Sequence, residues 1–264
     1  MKGALRVGIS GVGLLGPGLT DWARGRDALA DPARWHRAPT VVPPATRLPA
    51  TARRRAGPLV NASVGVADQA CTMAGLGAAD LATVFSSSTG DPVNCHLLCE
   101  ALAQPERTMS PTRFTNSVHN AAAGYWHIAV GSRQPSTSLC AFDDSFAAGL
   151  LEAVTQCLAN TRPVLLVVCD LPYPEPMHAL RPIEDLFACA LLLLPDAGAA
   201  RWQLAVRLGS GLPASRCADG ALEGLRRGVP AARALPLLQA LARPGPGLAL
   251  PAQADLALEL EVGA

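Results

Sequence analysis

The chain has 264 residues, half of them hydrophobic and only 16% charged, which excludes a disordered or collagen-like protein. Twenty-two basic against 21 acidic residues leave a net charge of +1, so there is no electrostatic footprint for nucleic acid or an anionic membrane. Aromatics make up 4%, too few for a base- or sugar-stacking platform, and the core must be built from Ala, Leu and Val. On a prior of roughly 150 residues per domain the length lies between one large domain and two small ones.

The longest apolar stretch, Leu186 to Leu194, is fenced by Asp185 and Pro195-Asp196, well short of the roughly 20 residues that span a bilayer. Lys2 and Arg6 precede a segment broken by Gly8, Gly11, Gly13 and Gly16, which suits a strand and turn better than a signal peptide. Cys71, Cys95, Cys99, Cys140, Cys157, Cys169, Cys189 and Cys217 mostly lie inside apolar runs, as free core cysteines do. A reducing, cytoplasmic setting is expected.

Leu5 to Ser10 reads as a strand that ends in a tight turn over Gly11 to Gly16. Thr20-Asp21 caps a helix reaching Leu29, and Ala38 to Leu59 is a Pro-, Arg- and Thr-rich loop. A helix over Asn61 to Leu76, a strand over Leu81 to Phe85 and a helix over Pro92 to Ala103 follow. Between Arg113 and Gly131 large and polar side chains crowd together, the pattern of a functional surface or interface. Thr137 to Phe142 reads as a strand. Asp143, Asp144 and Ser145 supply acceptors to cap a helix running to Asn160. Val164 to Cys169, apolar on both faces, has the pattern of a central strand covered by helices on both sides. Phe187 to Leu194 and Trp202 to Leu208 suggest an antiparallel pair, two short helices cover Ala218 to Arg227 and Pro230 to Leu241, and Leu256 to Val262 alternates as a last strand. The fold class is α/β.

Single motifs say little about chemistry. Gly11 to Gly16 has the spacing of a dinucleotide fingerprint, but no second strand ending in an acid follows, so a structural turn is the better reading and no cofactor is implied. Cys95, His96 and Cys99 lack a second ligand pair of matching spacing, so no metal is expected. No Ser sits in a Gly-x-Ser-x-Gly elbow for His119 or His127 to activate.

The order of segments resembles the N-terminal half of a β-ketoacyl synthase, an enzyme of the thiolase fold. The resemblance is carried by Arg6 to Gly13, by Val84 to Gly90, and most specifically by Met109 to Gly124 with Gly131 to Ser136, and it covers about the first 200 residues. It implies a thiolase-like half over residues 1–200 and a short variant region, 201–264, packed on the same domain. In that family the active cysteine follows the Ser of the Pro-Ser pair by seven residues, at the N-terminus of a buried helix. Here that position is Asp143, and Cys140 falls three residues early. The family's catalytic histidines belong to its second half, and no histidine follows His178.

What remains resembles the ketosynthase-like chain-length factors, and among them the short members of aryl polyene and related pigment pathways. The resemblance implies a non-catalytic subunit that pairs with an active β-ketoacyl synthase, meets acyl carrier protein through the complex and shapes the tunnel of the growing chain. Sixty-four residues after Ala200 cannot build a second sheet with its helices, so an apolar face is expected to need cover from another chain. By analogy Asn116 to His127 would face partner and tunnel, with Phe114, Tyr125 and Trp126 as walls and Asn116, His119, Asn120 and His127 as polar neighbours. Asp143 would cap the helix in a vestigial active site. The alternatives are an acyl-transferring enzyme using Cys140 or Ser145, and a homodimeric scaffold that docks carrier protein.

Overall fold

The computed structural model describes residues 3–210, 212–253 and 255–263. The first half runs β1 (Leu5–Leu15), α1 (Trp22–Ala30), α2 (Ala50–Arg53), α3 (Pro58–Ala74), β2 (Ala82–Ser86), α4 (Pro92–Ala103), α5 (Pro111–Asn116), α6 (Ala121–Val130) and β3 (Ser136–Leu139). The second half runs α7 (Ser145–Ala159), β4 (Val164–Asp170), α8 (Met177–Leu180), β5 (Phe187–Leu194), β6 (Trp202–Gly209), α9 (Gly220–Gly228), α10 (Leu235–Ala242), β7 (Leu248–Pro251) and β8 (Ala257–Gly263). The eight strands of the described residues join one sheet, in the order β3-β2-β4-β5-β1-β6-β8-β7. β3, β2 and β4 run parallel and the remaining pairings are antiparallel.

Alternation within the strands divides the core in two. Val84, Leu166 and Leu191 turn to the face covered by α1, α7 and α10, while Phe85, Val167 and Leu192 turn to the face covered by α3 and α6. β4, expected to be central and apolar on both sides, is buried at every residue. Beyond β1 the sheet is apolar on one side only: Leu204, Val206, Leu258 and Leu260 join the first core, and Glu259 pairs with Arg207 from the other side. A one-sided extension needs helices on a single face, which α9 and α10 supply. The expected uncovered apolar face is therefore absent among the described residues, and β6, β8 and β7 extend the same sheet.

Two sequence expectations are corrected here. The glycines at 11 and 13 make no turn; β1 runs straight through them, with a register shift between Ile9 and Gly11. They are small because α3 crosses at their surface: a Cβ at Gly13 would lie 1.9 Å from the Val66 carbonyl oxygen, and one at Gly11 2.0 Å from that of Ala70. The turn comes later, at Gly16 to Leu19, with Gly18 at φ +68°. Nor do β5 and β6 pair. β1 lies between them, bonded to both, because the first strand of the chain fills the gap that a hairpin would have closed. β6 leaves β1 at Ile9, and farther along α3 side chains serve in its place: the Leu14 N–H donates to Gln69 Oε1 at 2.9 Å and the Val12 N–H to Met73 Sδ at 3.4 Å.

Candidate functional site

The turn from β3 into α7 carries the residues that occupy the expected nucleophile position. Cys140 follows the strand and is exposed. Its sulfur faces the Ser88 carbonyl at 3.8 Å, an acceptor that cannot act as a base toward the thiol. Ser145 is wholly buried; its Oγ accepts from the Ala141 N–H at 3.0 Å and donates to the Phe142 carbonyl at 2.7 Å. That hydroxyl is spent on closing the turn. α7 packs tightly on β2 behind it, with the Ser86 hydroxyl donating to the Ser145 carbonyl at 2.6 Å and Gly149 leaving no room for a Cβ against Ser86.

Asp143 and Asp144 do not cap α7: neither carboxylate accepts a bond from the helix's first N–H groups. They are held instead by two arginines that are distant in sequence. Arg181, just past α8, reaches Asp143 Oδ1 at 2.5 Å and donates to Ser88 Oγ at 2.8 Å, with its guanidinium 3.9 Å from the centre of the Phe142 ring. Arg233, in the 3-10 turn after α9, bridges Asp143 Oδ2 at 2.9 Å and Asp144 Oδ1 at 2.7 Å. Both oxygens of Asp143 are thus in ion pairs, and the two acids and two bases cancel in charge. Burial pushes the Asp144 carboxyl up; Arg233 pulls it down and the neighbouring Asp143 charge pushes it up again. The acid at the nucleophile position serves as a counter-ion locking three chain segments together.

Asp170, at the end of β4, anchors the facing loop. It is fully buried, and its Oδ1 accepts from the Ser87 hydroxyl at 3.0 Å and from the Ser88 and Thr89 N–H groups at 2.6 and 3.0 Å. Burial pushes its carboxyl up and the donors of that loop pull it back. Arg181, Arg233 and Asp170 were missed by sequence reasoning. Only Asp170 left a trace there, as an acid closing an otherwise apolar central strand.

The second group of expected site residues sits on α5, α6 and the strand beside them. Phe114 is 64% exposed. The Tyr125 hydroxyl donates to Asn116 Oδ1 at 3.0 Å and Asn116 Nδ2 to the Arg55 carbonyl at 2.9 Å, fastening α5 to α6 and to the chain before α3. His119, Asn120 and His127 line an open groove of about 450 Å³ with Ser136 and Ser138 of β3. His127 Nε2 lies 3.2 Å from Thr83 Oγ1, which itself donates to Ser136 Oγ at 2.8 Å, and burial pulls the imidazole down from its usual value. Trp126 stands apart. Its side chain is fully buried in the core beneath α3 and does not line the groove.

As a strand β3 pairs only with β2, and among the described residues its other edge meets no strand. Thr83 N–H donates to the Pro135 carbonyl and Ser87 N–H to that of Leu139, so the odd-numbered residues face β2 and the main chain of Ser136 and Ser138 faces away. Exposed apolar side chains lie on the segments beside this edge: Val118 at 53%, Ile128 at 61% and Phe142 at 63%.

Residues 24–245 match the family described as beta-ketoacyl synthase, N-terminal domain. The chain belongs to that family. Among solved structures it is similar to the ketosynthase ApeO in complex with its chain length factor ApeC from Xenorhabdus doucetiae, at 24% identity and a TM-score of 0.75, over 97% of this chain and 99% of that one. It is similar also to the ishigamide ketosynthase/chain length factor, at 15% identity and a TM-score of 0.64, over 96% and 98% of the two chains. 3-Oxoacyl-(acyl carrier protein) synthase III from Pseudomonas aeruginosa PAO1 aligns over 97% of each chain at 17% identity and a TM-score of 0.52. These likenesses establish the thiolase-like ketosynthase fold. No curated protein matches the sequence. Among the described residues no helix is long and apolar enough to cross a membrane.

Proposed function

We propose that this chain is a ketosynthase-like partner subunit, a chain-length factor, which pairs with an active β-ketoacyl synthase through the open edge of β3 and the adjoining α5–α6 surface. The observation that carries this reading is the contrast at that edge. A strand whose outer N–H and C=O groups meet no partner among the described residues, with exposed Val118, Ile128 and Phe142 on the adjoining segments, is an association surface, since a chain working alone would cover or charge it. The Asp143 clamp points the same way: both carboxylate oxygens are paired and Ser145 is buried, so the turn offers the partner a rigid surface and no activated nucleophile. That solved ketosynthase and chain-length-factor complexes share the fold at nearly full length adds support.

Within such a pair the groove lined by His119, Asn120, His127 and Ser138 would wall the partner's acyl tunnel, and carrier protein would meet the pair as a whole. An acyl chain of the aryl polyene type is the substrate class in this reading. Affinity purification of the tagged chain from its own cells tests the proposal. The expected result is a one-to-one complex with a full-length ketosynthase and no acyl mass on this chain. Recovery of a homodimer, or of a covalent acyl adduct on Cys140, would overturn it.

A further inference from the structure

Phe142 is the residue immediately before the Asp143 clamp, and its state is unusual in two independent ways. Its backbone lies at φ +52°, in the left-handed region that bulky L-residues rarely adopt. Its ring is nevertheless 63% exposed, so no burial in this chain compensates for that conformation. The surroundings enforce it. The Ser145 hydroxyl holds the Phe142 carbonyl at 2.7 Å, the Asp144 N–H closes on the Ala141 carbonyl at 3.0 Å, and the Arg181 guanidinium lies over the ring at 3.9 Å. Arg181 is itself fixed by Asp143 and Ser88, which leaves the ring with little freedom to fold back.

We infer that Phe142 is a pre-set anchor which enters an apolar slot on the ketosynthase partner; this rests on the proposed function and deepens it. Three observations choose that occupant. Phe142 stands three residues beyond β3, continuous with the open edge at which the partner is placed. The charges around it are balanced within the clamp, two arginines against two aspartates, so the site does not select an acidic segment. Exposed Met177 and Leu180, at 46% and 80%, lie on α8, the short helix that leads into Arg181, and add apolar surface to the segment that holds the ring. An aromatic side chain already held in its bound conformation loses little freedom on docking, which is what gives a rigid anchor its affinity.

The test is Phe142→Gly beside Phe142→Leu, each in the complex co-purified with its ketosynthase. Glycine removes the ring and relieves the left-handed backbone, so the unfolding midpoint of the subunit should hold or rise. Dissociation of the pair should nevertheless quicken by at least about 30-fold. Leucine retains apolar bulk and should fall between glycine and the parent. A glycine variant that dissociates at the parent rate would overturn the anchor while leaving the heterodimer standing. Failure of the parent chain to bind any ketosynthase would overturn both readings together.

Discussion

The two edges of the sheet are finished in opposite ways. β7, at one end, is covered by the chain itself: Ser215 N–H donates to the Ala249 carbonyl at 2.8 Å and Ala249 N–H to Ser215 Oγ at 2.9 Å, and Leu248 to Leu250 are buried. β3, at the other end, is only four residues long, half exposed, and leaves one side unbonded among the described residues. Both edges belong to the same molecule, so the same means of protection were available to each. That β3 is left open while β7 is sealed is the asymmetry on which the proposed pairing rests.

The comparison can be broken most directly at Ser138, whose main chain faces away from β2. Ser138→Pro removes one outward N–H without touching the ladder to β2, and is expected to abolish recovery of the partner in co-purification while the subunit still unfolds cooperatively. The converse change at the sealed edge, Ser215→Ala, should leave partner recovery intact.

Trp126→Ala separates the surface from its support. The side chain is fully buried, so this substitution should cost the subunit about 3–5 kcal/mol in a denaturant titration. It should not alter product length beyond what lower subunit abundance explains. A shift in product length at full abundance would place Trp126 at the tunnel after all.

At the sealed edge, Ser215→Ala should lower stability by about 1 kcal/mol through the loss of one hydrogen bond to Ala249, read in the same titration. The smallest expected effect is a pH dependence on the open side. Burial pulls the His127 imidazole below its usual value, so the folded chain takes up this proton at a lower pH than the unfolded chain, which does so near pH 6.5. Stability is therefore level above about pH 6.5 and falls as the pH drops below it. His127→Gln should flatten that slope in thermal unfolding measured between pH 8 and pH 5.

The elements that read most clearly in the sequence were those with one dominant local signal. The helix Pro92–Ala103, opened by Asp91 accepting from the Asn94 N–H, matches its expected bounds, and the uniformly apolar Val164 to Cys169 lies in the middle of the sheet with both faces covered. The glycines of β1 misled because Gly signals a turn and a close helix approach with the same letter; only the position of Val66 and Ala70 on α3 separates the two. The pairing of β5 with β6 misled because neighbouring strands in sequence usually pair in space, and nothing in residues 187–209 announces that the first strand will come between them.

At the candidate site the sequence determined the residue types: an acid at the nucleophile position, no histidine late in the chain, and a dense polar and aromatic segment from Asn116 to His127. What those residues do was decided by tertiary structure. Asp143 would serve as a helix cap if only its own helix mattered, but Arg181 and Arg233, 38 and 90 residues away, arrive with charge and take both of its oxygens. Trp126 and His127 are adjacent in sequence yet occupy core and groove, because successive helix positions turn by about 100° and only packing against α3 settles which of them goes inside. Local sequence sets which groups are offered; long-range packing sets which of them meet, and so which surface is left open.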